Sequence, residues 1–384
     1  MSGRLRILVL FGGIPLWGQE LGNIEVIDAL VKEAGAECLF VTNRGWGHEA
    51  VQPELDRRGL PWTTAPYVGR LGKAMPPSRW ISNIRTILVA SLTLVRIMRR
   101  FRPTHIHVCN PAHFLNFLPV LLLTRTPVIY RLGDRIALHH PAYRFLWRRL
   151  IAPRVAEFVC VSKFIAQDLS DALGRRTIRT TVIYTRPPAR HGSVQPLALP
   201  PLESSRITFV YLGQIAAHKG IELLIESASA LRHRRDFSVL IAGDDNRYAD
   251  QLRARVRDDG LEGIVIFLGR VDDVDRLFER GDVHVCPSLD HEGLPLVAIE
   301  AKLAGRASIV FPTAGLPEVV SHMVDGYVCP LKTADALRDA CLSYLDDPDQ
   351  ARRQGCEARR SLERLGVFRF SARWQEVYER TARG

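Results

Sequence analysis

The chain has 384 residues, 47% of them hydrophobic, and a formal net charge of +11 at pH 7. This length exceeds what one hydrophobic core usually supports, so two domains are expected. Seven cysteines without a C-x-x-C pair are typical of a protein in a reducing compartment. No apolar run reaches the roughly 20 residues of a membrane-spanning helix, and the first one, residues 7–11, is too short for a signal sequence. The sequence therefore predicts a cytoplasmic protein.

In chain order, short apolar segments alternate with helical ones, which predicts an α/β fold with parallel sheets. The predicted strands of the first half cover residues 6–11, 38–41, 105–109, 128–131, 158–161 and 181–184. Those of the second half cover residues 207–212, 237–242, 264–268, 283–286 and 308–311. Five prolines between residues 186 and 205 predict a linker, because proline at that density continues neither a helix nor a strand. The last segment, residues 370–382, has a helical pattern.

The charged residues are distributed unevenly. Residues 1–190 contain 27 Lys+Arg and 12 Asp+Glu, whereas residues 191–384 contain 25 and 29. From Arg57 to Gly133 there are twelve basic residues and no acidic one, and several basic residues flank the apolar run 86–95. Such a segment suits the surface of an anionic membrane, where each basic residue contributes roughly 1 kcal/mol. The alternatives are a covering helix with solvated arginines and, disfavoured because no reader module is present, a nucleic-acid surface.

The most informative segment spans residues 288–300, where a predicted strand is followed by a turn with Glu292 and Gly293. Pro295 is expected in the first turn of the next helix, a position that suits its fixed φ and missing N–H. Seven residues separate Glu292 from Glu300, so one carboxylate lies in the loop and the other about two turns into the helix. Free N–H groups at a helix start attract anions. Anion-binding amides beside two hydroxyl-accepting carboxylates suit a sugar nucleotide.

These residues resemble the E-x7-E signature of glycosyltransferase family four, whose members are retaining enzymes with the GT-B fold. Three further segments resemble family elements in the family's order and spacing. They are the strand and Lys-Gly loop at 211–220, the segment behind the nucleobase at 267–271, and the loop facing the donor at 315–318.

The resemblance implies two Rossmann-like domains with parallel sheets that face a cleft. The implied organisation is an acceptor-binding domain at 1–185, a linker at 186–205, a nucleotide-sugar-binding domain at 206–365 and a helix at 366–384 that returns to the first domain.

The resemblance also implies a donor site. Lys219 would be the principal cation on the diphosphate, Glu300 would bind the ribose, and Glu292 would bind the donor sugar. Glu318 would face the donor or simply cap its helix. Gln214 stands where the family usually has arginine, so one cation is missing. The remaining predicted donor-binding residues are Gly18, Gly213, Gln214, Val271, Gly293, Leu294, Pro295, Leu296 and Val297.

In the first domain the resemblance points to the acceptor side. His107, at the end of a predicted strand, would face the acceptor, although a histidine in an apolar strand is more often a core residue. Gly133 stands where many members have a histidine near the reacting sugar, and Asp134 beside it would contact the acceptor hydroxyl. The predicted catalytic residues are therefore Glu292, Lys219, Asp134 and His107.

The sequence thus predicts a metal-independent glycosyltransferase that needs no cofactor and uses a UDP- or GDP-sugar. Its predicted acceptor is a glycolipid or a polyprenyl-diphosphate-linked glycan at the inner face of the membrane. Three alternatives stay open: a soluble small-molecule acceptor, a non-catalytic nucleotide-sugar-binding relative, and a sugar-nucleotide epimerase of the same architecture. The acidic pairs at 244–245 and 272–273 are interpreted as helix caps and not as metal ligands.

Overall fold

The computed structural model describes residues 4–12, 16, 18–45, 48–68, 77–136, 141–174, 178–188, 206–290 and 293–382. The chain divides into two compact units. The N-terminal unit comprises Met1–Pro188 with Arg369–Gly384, and the C-terminal unit comprises Ala189–Phe368. Most of the predicted linker, residues 189–205, lies outside the described residues. None of the helices within these ranges has both the length and the apolar character needed to cross a bilayer.

The N-terminal unit is built around one parallel sheet. Its strands are β1 (Arg6–Leu10), β2 (Glu37–Asn43), β3 (Trp62–Ala65), β4 (His105–Val108), β5 (Val128–Leu132), β6 (Val155–Cys160) and β7 (Thr180–Val182). They lie side by side in the order β3-β2-β1-β4-β5-β6-β7, and every pair is parallel. Its helices are α1 (Gly18–Ala34), α2 (His48–Arg57), α3 (Pro77–Phe101), α4 (Pro111–Asn116), α5 (Leu118–Leu123), α6 (Pro141–Phe145) and α7 (Lys163–Leu173). A π-helix (Leu146–Ile151) and a 3-10 turn (Ala152–Arg154) follow α6.

The C-terminal unit repeats this plan with six parallel strands. They are β8 (Ile207–Leu212), β9 (Phe237–Ala242), β10 (Val265–Gly269), β11 (Val283–Cys286), β12 (Ala307–Val310) and β13 (Gly326–Val328). Their order is β10-β9-β8-β11-β12-β13. The helices are α8 (Ile221–Ala230), α9 (Arg247–Asp258), α10 (Val274–Arg280), α11 (Leu296–Leu303), α12 (Leu316–Val319), α13 (Ala334–Asp346) and α14 (Pro348–Leu365). A 3-10 turn (Ala217–Lys219) precedes α8.

The strand order reverses once in each sheet, between β1 and β4 and between β8 and β11. In open α/β sheets, ligands bind outside the carboxyl ends of the strands at such a reversal. The loops that follow these four strands are therefore the expected ligand-binding loops.

The predicted α/β architecture with two parallel sheets is confirmed, and the predicted strands match observed ones to within a few residues. Two strands were missed, β3 and β13. Strand β3, Trp-Thr-Thr-Ala, is half-buried over most of its length, and β13 is three residues long and begins with Gly326. Both are sheet edges, where burial on two faces does not impose the long apolar run that marks the central strands.

The final helix, α15 (Phe370–Thr381), belongs to the N-terminal unit. Its buried residues Phe370, Trp374 and Tyr378 complete the core formed by α1 and the sheet. Arg373 donates to the backbone oxygen of Val182 at 2.7 Å, and Arg380 pairs with the buried Glu157. The helix is thus an integral layer of this unit.

Candidate functional site

The loop after β8 is fixed by contacts with its neighbours. The Tyr211 hydroxyl donates to the backbone oxygen of Gln214 at 2.8 Å, and Asn246 donates to the backbone oxygen of Ile215 at 2.9 Å. A Cβ atom on Gly243 would lie 2.2 Å from the backbone oxygen of Gly213, so these two strand ends require small residues. Gln214 itself is exposed at the carboxyl edge of the sheet.

Gly220 brings this loop against the end of β11. It has a φ of +70°, and an added Cβ would lie only 2.1 Å from the backbone oxygen of Pro287. The amide of Leu289 donates to the backbone oxygen of His218 at 2.9 Å, which joins the two loops directly. Only glycine satisfies both the left-handed backbone and this close approach.

Lys219 lies half-buried where these loops meet. Burial raises the pKa of the Cys286 thiol at the end of β11, and the charge of Lys219 opposes that rise. Lys219 therefore belongs to a loop that lies against the carboxyl end of β11. This is the reversal point of the second sheet, where the sequence predicted the cation of the donor site.

The N-terminus of α11 lies in the same region. The helix starts at Leu296, and Pro295 before it has an extended backbone with φ −65° and ψ 118°. Pro295 is therefore the N-cap residue, and its expected place inside the first turn is wrong by one position. Its ring fixes φ in either state, so the sequence left ψ undetermined. Among the described residues no acidic side chain lies in the first turn, which leaves the positive end of the helix dipole for another anion.

Glu300 lies half-buried in the second turn of α11. Glu292 lies outside the described residues, so the geometry of the carboxylate pair is not part of the structure. Gly293 and Pro295 are buried, whereas Leu294, Leu296 and Val297 are half-buried. Val297 packs against the apolar cluster that contains Val271, which links the start of α11 to the segment after β10.

A buried ion pair fixes the last turn of α11, and the sequence did not predict it. The Lys302 ammonium lies 2.8 Å from the Asp325 carboxylate and 2.9 Å from the Ser361 hydroxyl, and both charged side chains are fully buried. Burial lowers the pKa of Lys302, and Asp325 opposes that shift. Asp325 also accepts a hydrogen bond from the Ser321 amide at 2.8 Å. A lysine in an amphipathic helix usually lies in solvent, so no local signal indicated this pair.

Two predicted helix caps come out differently. Asp273 caps α10 by accepting from the amide of Arg276 at 3.0 Å, as expected. At α9 the N-cap is Asn246, which accepts from two backbone amides. The preceding Asp244 and Asp245 pair with Arg270 and Arg253 instead. Glu318 is in the single turn of α12, half-buried behind the N-cap Gly315.

In the N-terminal unit, α1, β4 and β5 meet at the reversal point of the first sheet. Gly18 begins α1 and is exposed. Gln19 donates to the backbone oxygen of Cys109 at 3.3 Å, and its Cγ lies 3.2 Å from where a Cβ on Gly133 would be. Asp134 is exposed beside Gly133. The structure thus brings Gly18 and Asp134 to one sheet edge.

Arg131 is a second functional candidate that the sequence did not reveal. It is 3% exposed, donates to the Thr185 hydroxyl at 2.8 Å, and lies against Gly22 of α1, where a Cβ would be 2.8 Å from its Nη2. Its Nη1 has no hydrogen-bond partner among the described residues. Burial lowers the pKa of Arg131 to about 10.

His107 lies in the core and does not reach the sheet edge. It is fully buried, its Nδ1 is 2.6 Å from the Tyr378 hydroxyl, and its Nε2 is 3.4 Å from the Asn23 side chain. Burial lowers the pKa of His107 to about 3, so the ring is neutral. These are the properties of a core histidine, the alternative that the sequence left open, and its predicted catalytic position is corrected on this ground.

Comparisons with known proteins agree with this geometry. The family "Glycosyltransferase Family 4" matches residues 18–185, and "Glycosyl transferases group 1" matches residues 206–347. Together the two matches cover most of the chain. The protein belongs to this glycosyltransferase family. The resemblance expected from the sequence motifs is confirmed.

Curated relatives of this glycosyltransferase match about half of their own length or less. The GDP-mannose-dependent alpha-(1-6)-phosphatidylinositol monomannoside mannosyltransferase of Mycobacterium tuberculosis is 31% identical over 162 residues, which is 40% of this chain and 42% of the relative. The N-acetyl-alpha-D-glucosaminyl L-malate synthase of Bacillus anthracis is 25% identical over 177 residues, 46% of each chain.

Solved structures agree on the fold. Anabaena Alr3699/HepE in complex with UDP superposes with a TM-score of 0.77 over 98% of this chain and 99% of that one, at 17% sequence identity. At that identity the likeness establishes the GT-B fold of the glycosyltransferase and nothing finer.

Proposed function

We propose that the protein is a retaining glycosyltransferase that moves a sugar from a nucleotide sugar to a hydroxyl of a glycolipid or polyprenyl-diphosphate-linked glycan. The observation that carries the proposal is the construction of the second sheet's reversal point. There Gly220 presses the Lys219 loop against the end of β11, while α11 starts nearby without an acidic residue in its first turn. A cation and a helix N-terminus together form a site for a diphosphate.

Each proposed donor contact matches the charge or hydrogen-bonding capacity of a group at the carboxyl edge of the second sheet. The backbone of residues 294–297 and Lys219 would hold the diphosphate, and Glu300 would accept hydrogen bonds from the ribose hydroxyls. The backbone at Val271 would meet the base, and Glu292 the donor sugar. Gly213 and Gln214 would line the phosphates, although an amide supplies no charge in place of the family's arginine.

The mechanism that we propose depends on fixed charge. Breaking the glycosyl–diphosphate bond builds positive charge on the sugar ring and negative charge on the leaving group. Stabilising charge where it develops is usually the largest catalytic contribution. Lys219 and the α11 amides would stabilise the leaving diphosphate without a metal ion. Asp134 would accept a hydrogen bond from the acceptor hydroxyl while the hydroxyl oxygen attacks the same face of the sugar that the diphosphate leaves, which retains the anomeric configuration. The hydroxyl proton would pass to the departing diphosphate oxygen.

The lipid-linked acceptor is supported by charge and by similarity. The acid-free span from Arg57 to Gly133 makes the N-terminal unit strongly basic, as a surface for an anionic membrane requires. The Mycobacterium tuberculosis relative acts, by its name, on a phosphatidylinositol monomannoside. We therefore place the protein at the inner face of the membrane, in peripheral contact with anionic lipid.

A soluble small-molecule acceptor is the second candidate, favoured by the Bacillus anthracis relative, whose name specifies malate. The two candidates share every donor residue. They differ in whether a water-soluble acceptor is glycosylated as fast as one in a bilayer.

Thermal unfolding with UDP, GDP, ADP or CMP tests the donor site. A nucleotide that binds only the folded chain at 100 times its dissociation constant adds about 2.7 kcal/mol of stability. We expect one nucleotide to raise the melting temperature, and Glu300→Gln to remove that increase. Glu262→Gln, an exposed loop acid of the same unit, is the matched control and should keep it. If no nucleotide stabilises the wild-type chain, the proposal fails in favour of a relative that has lost donor binding.

A further inference from the structure

The helical layer over one face of the N-terminal sheet has an unusual outer surface. Because parallel crossovers are right-handed, the connections β3–α3–β4, β4–α5–β5 and β5–α6–β6 place their helices on the same face of the sheet. All the large apolar side chains that are exposed in the described part of the N-terminal unit lie on these three helices. They are Ile84, Leu88, Val89, Leu92, Leu122, Leu123, Tyr143 and Phe145.

On α3 these side chains form a continuous stripe. Ile84, Leu88 and Leu92 are spaced four residues apart, so they share one side of the helix, and Leu92 is 61% exposed. The opposite side of α3 is buried through Ala90 and Leu94. The helix therefore has two apolar sides, and only one of them is used by the fold.

The neighbouring helices extend this apolar surface. α3 packs against α5. The backbone oxygen of Leu121 in α5 accepts from Arg154, which follows α6 and the π-helix, so the three helices form one layer. Leu123 at the end of α5 is 85% exposed, and Phe145 at the end of α6 is 61% exposed. Monomeric soluble proteins rarely leave contiguous apolar patches of this kind without a partner.

The charged residues of the segment that carries these helices are almost all basic. Residues 77–154 contain thirteen arginines, no lysine and one acidic residue, Asp134. Exposed Arg85, Arg96, Arg99 and Arg100 of α3 have no ion-pair partner among the described residues. A partner of this surface must therefore be both apolar and anionic.

We propose that this surface, the outer side of α3, α5 and α6, is a membrane-docking face for an anionic bilayer. The aliphatic and aromatic side chains enter the acyl boundary while the arginines bind lipid phosphates. The inference deepens the proposed function, on which it rests for the lipid-linked acceptor. Nucleic acid satisfies the arginines and leaves the aliphatic stripe in water, so a bilayer accounts for more of the surface.

Co-sedimentation with vesicles of phosphatidylcholine, with and without phosphatidylglycerol, tests the membrane-docking face. We expect binding that needs phosphatidylglycerol. Leu88→Gln with Leu92→Gln should weaken it at least about tenfold, and Arg96→Gln with Arg99→Gln and Arg100→Gln roughly 100-fold at low salt. Leu331→Gln, which changes a 63% exposed leucine of the other unit, is the matched control and should have no effect. These positions are exposed, so melting temperatures should not change.

Insertion can be followed directly with a fluorescent label. Cys356 is the exposed cysteine of the seven, and it lies in the C-terminal unit. A polarity-sensitive dye on Leu92→Cys, in a Cys356→Ser background, should shift to the blue with phosphatidylglycerol vesicles. The same dye on native Cys356 should not. Equal blue shifts of the dye at both positions would overturn the proposal. So would wild-type protein that does not bind vesicles, or that binds DNA more tightly than vesicles.

The outcomes separate this inference from the proposed function. A chain that binds vesicles through this face but transfers no sugar to any detergent-solubilised acceptor would refute the proposed function and support the face. A chain that glycosylates a solubilised lipid acceptor yet does not bind vesicles would refute the face alone.

Discussion

One buried cation in each unit, Lys302 and Arg131, is held in a different way. Lys302 of the C-terminal unit is paired with the buried Asp325, whereas Arg131 of the N-terminal unit has only the Thr185 hydroxyl as a hydrogen-bond partner among the described residues. Both side chains lose hydration, and burial lowers the pKa of each. The same desolvation is thus offset by an opposite charge at Lys302 and by a neutral group at Arg131.

This difference determines what removal of each cation leaves behind. Without Lys302, the buried Asp325 carboxylate would keep only a longer contact, 3.7 Å, to the exposed Arg364. Without Arg131, no buried carboxylate loses an ion pair. An unpaired buried charge is among the costliest defects in a protein, whereas replacing a desolvated ion with an apolar group is often neutral. Lys302 and Arg131 should therefore respond unequally to similar substitutions.

The largest effect is expected from Lys302→Met, which should lower the free energy of unfolding by about 3 to 5 kcal/mol. Urea denaturation measures this loss. Adding Asp325→Asn removes the buried negative charge that the loss of Lys302 leaves, so the double variant should recover part of the stability. If the double variant is as unstable as the two single losses added together, the two side chains do not interact as the structure shows.

Acid should destabilise the N-terminal unit more than the C-terminal one. Burial lowers the pKa of His105 to about 4, of His107 to about 3 and of His113 to about 4, and in the other unit it lowers the pKa of His284 to about 3. The unfolded chain, with histidine pKa values near about 6.5, takes up these protons first. Stability is therefore fully present above pH ~6.5 and decreases below it.

Each histidine contributes a slope of about 1.4 kcal/mol per pH unit, so the two units should differ by about 3 kcal/mol one unit below that pH. Hydrogen exchange of β4 and β11, corrected for intrinsic rates, measures the two stabilities separately. An equal loss in both strands would contradict the buried, neutral state of the three N-terminal histidines.

A smaller effect is expected at the loop before α8. Gly220→Ala should destabilise the C-terminal unit by about 2 kcal/mol more than Gly260→Ala. The two glycines have φ values of +70° and +66°, but only Gly220 has a backbone atom close to the added methyl group. Thermal unfolding of both variants isolates the close approach to Pro287. Nucleotide binding should weaken only in Gly220→Ala, and equal behaviour would mean that the approach does not constrain the loop.

The sequence predicted those features that depend on local pattern. Central strands buried on both faces are continuous apolar runs, and the Lys219–Gly220 and Glu300 motifs stand in short contiguous segments. It did not predict Lys302–Asp325 or Arg131–Gly22, because each contact joins residues far apart in the chain and neither partner is unusual in its own segment. His107 was misplaced for a similar reason, since its partner Tyr378 is 271 residues away.

Arg131→Met should have the smallest effect, and it is the sharpest test of the difference between the two buried cations. It should change the free energy of unfolding by less than about 1 kcal/mol, since the lost Thr185 hydrogen bond is offset by relief of a desolvated charge. Thr185→Val removes the same hydrogen bond but keeps the charge, so it should cost more than Arg131→Met in the same urea experiment. If Arg131→Met is instead as damaging as Lys302→Met, Arg131 must be paired with a carboxylate in solution. Glu20 and Asp134, which both influence its pKa, are the groups to test next.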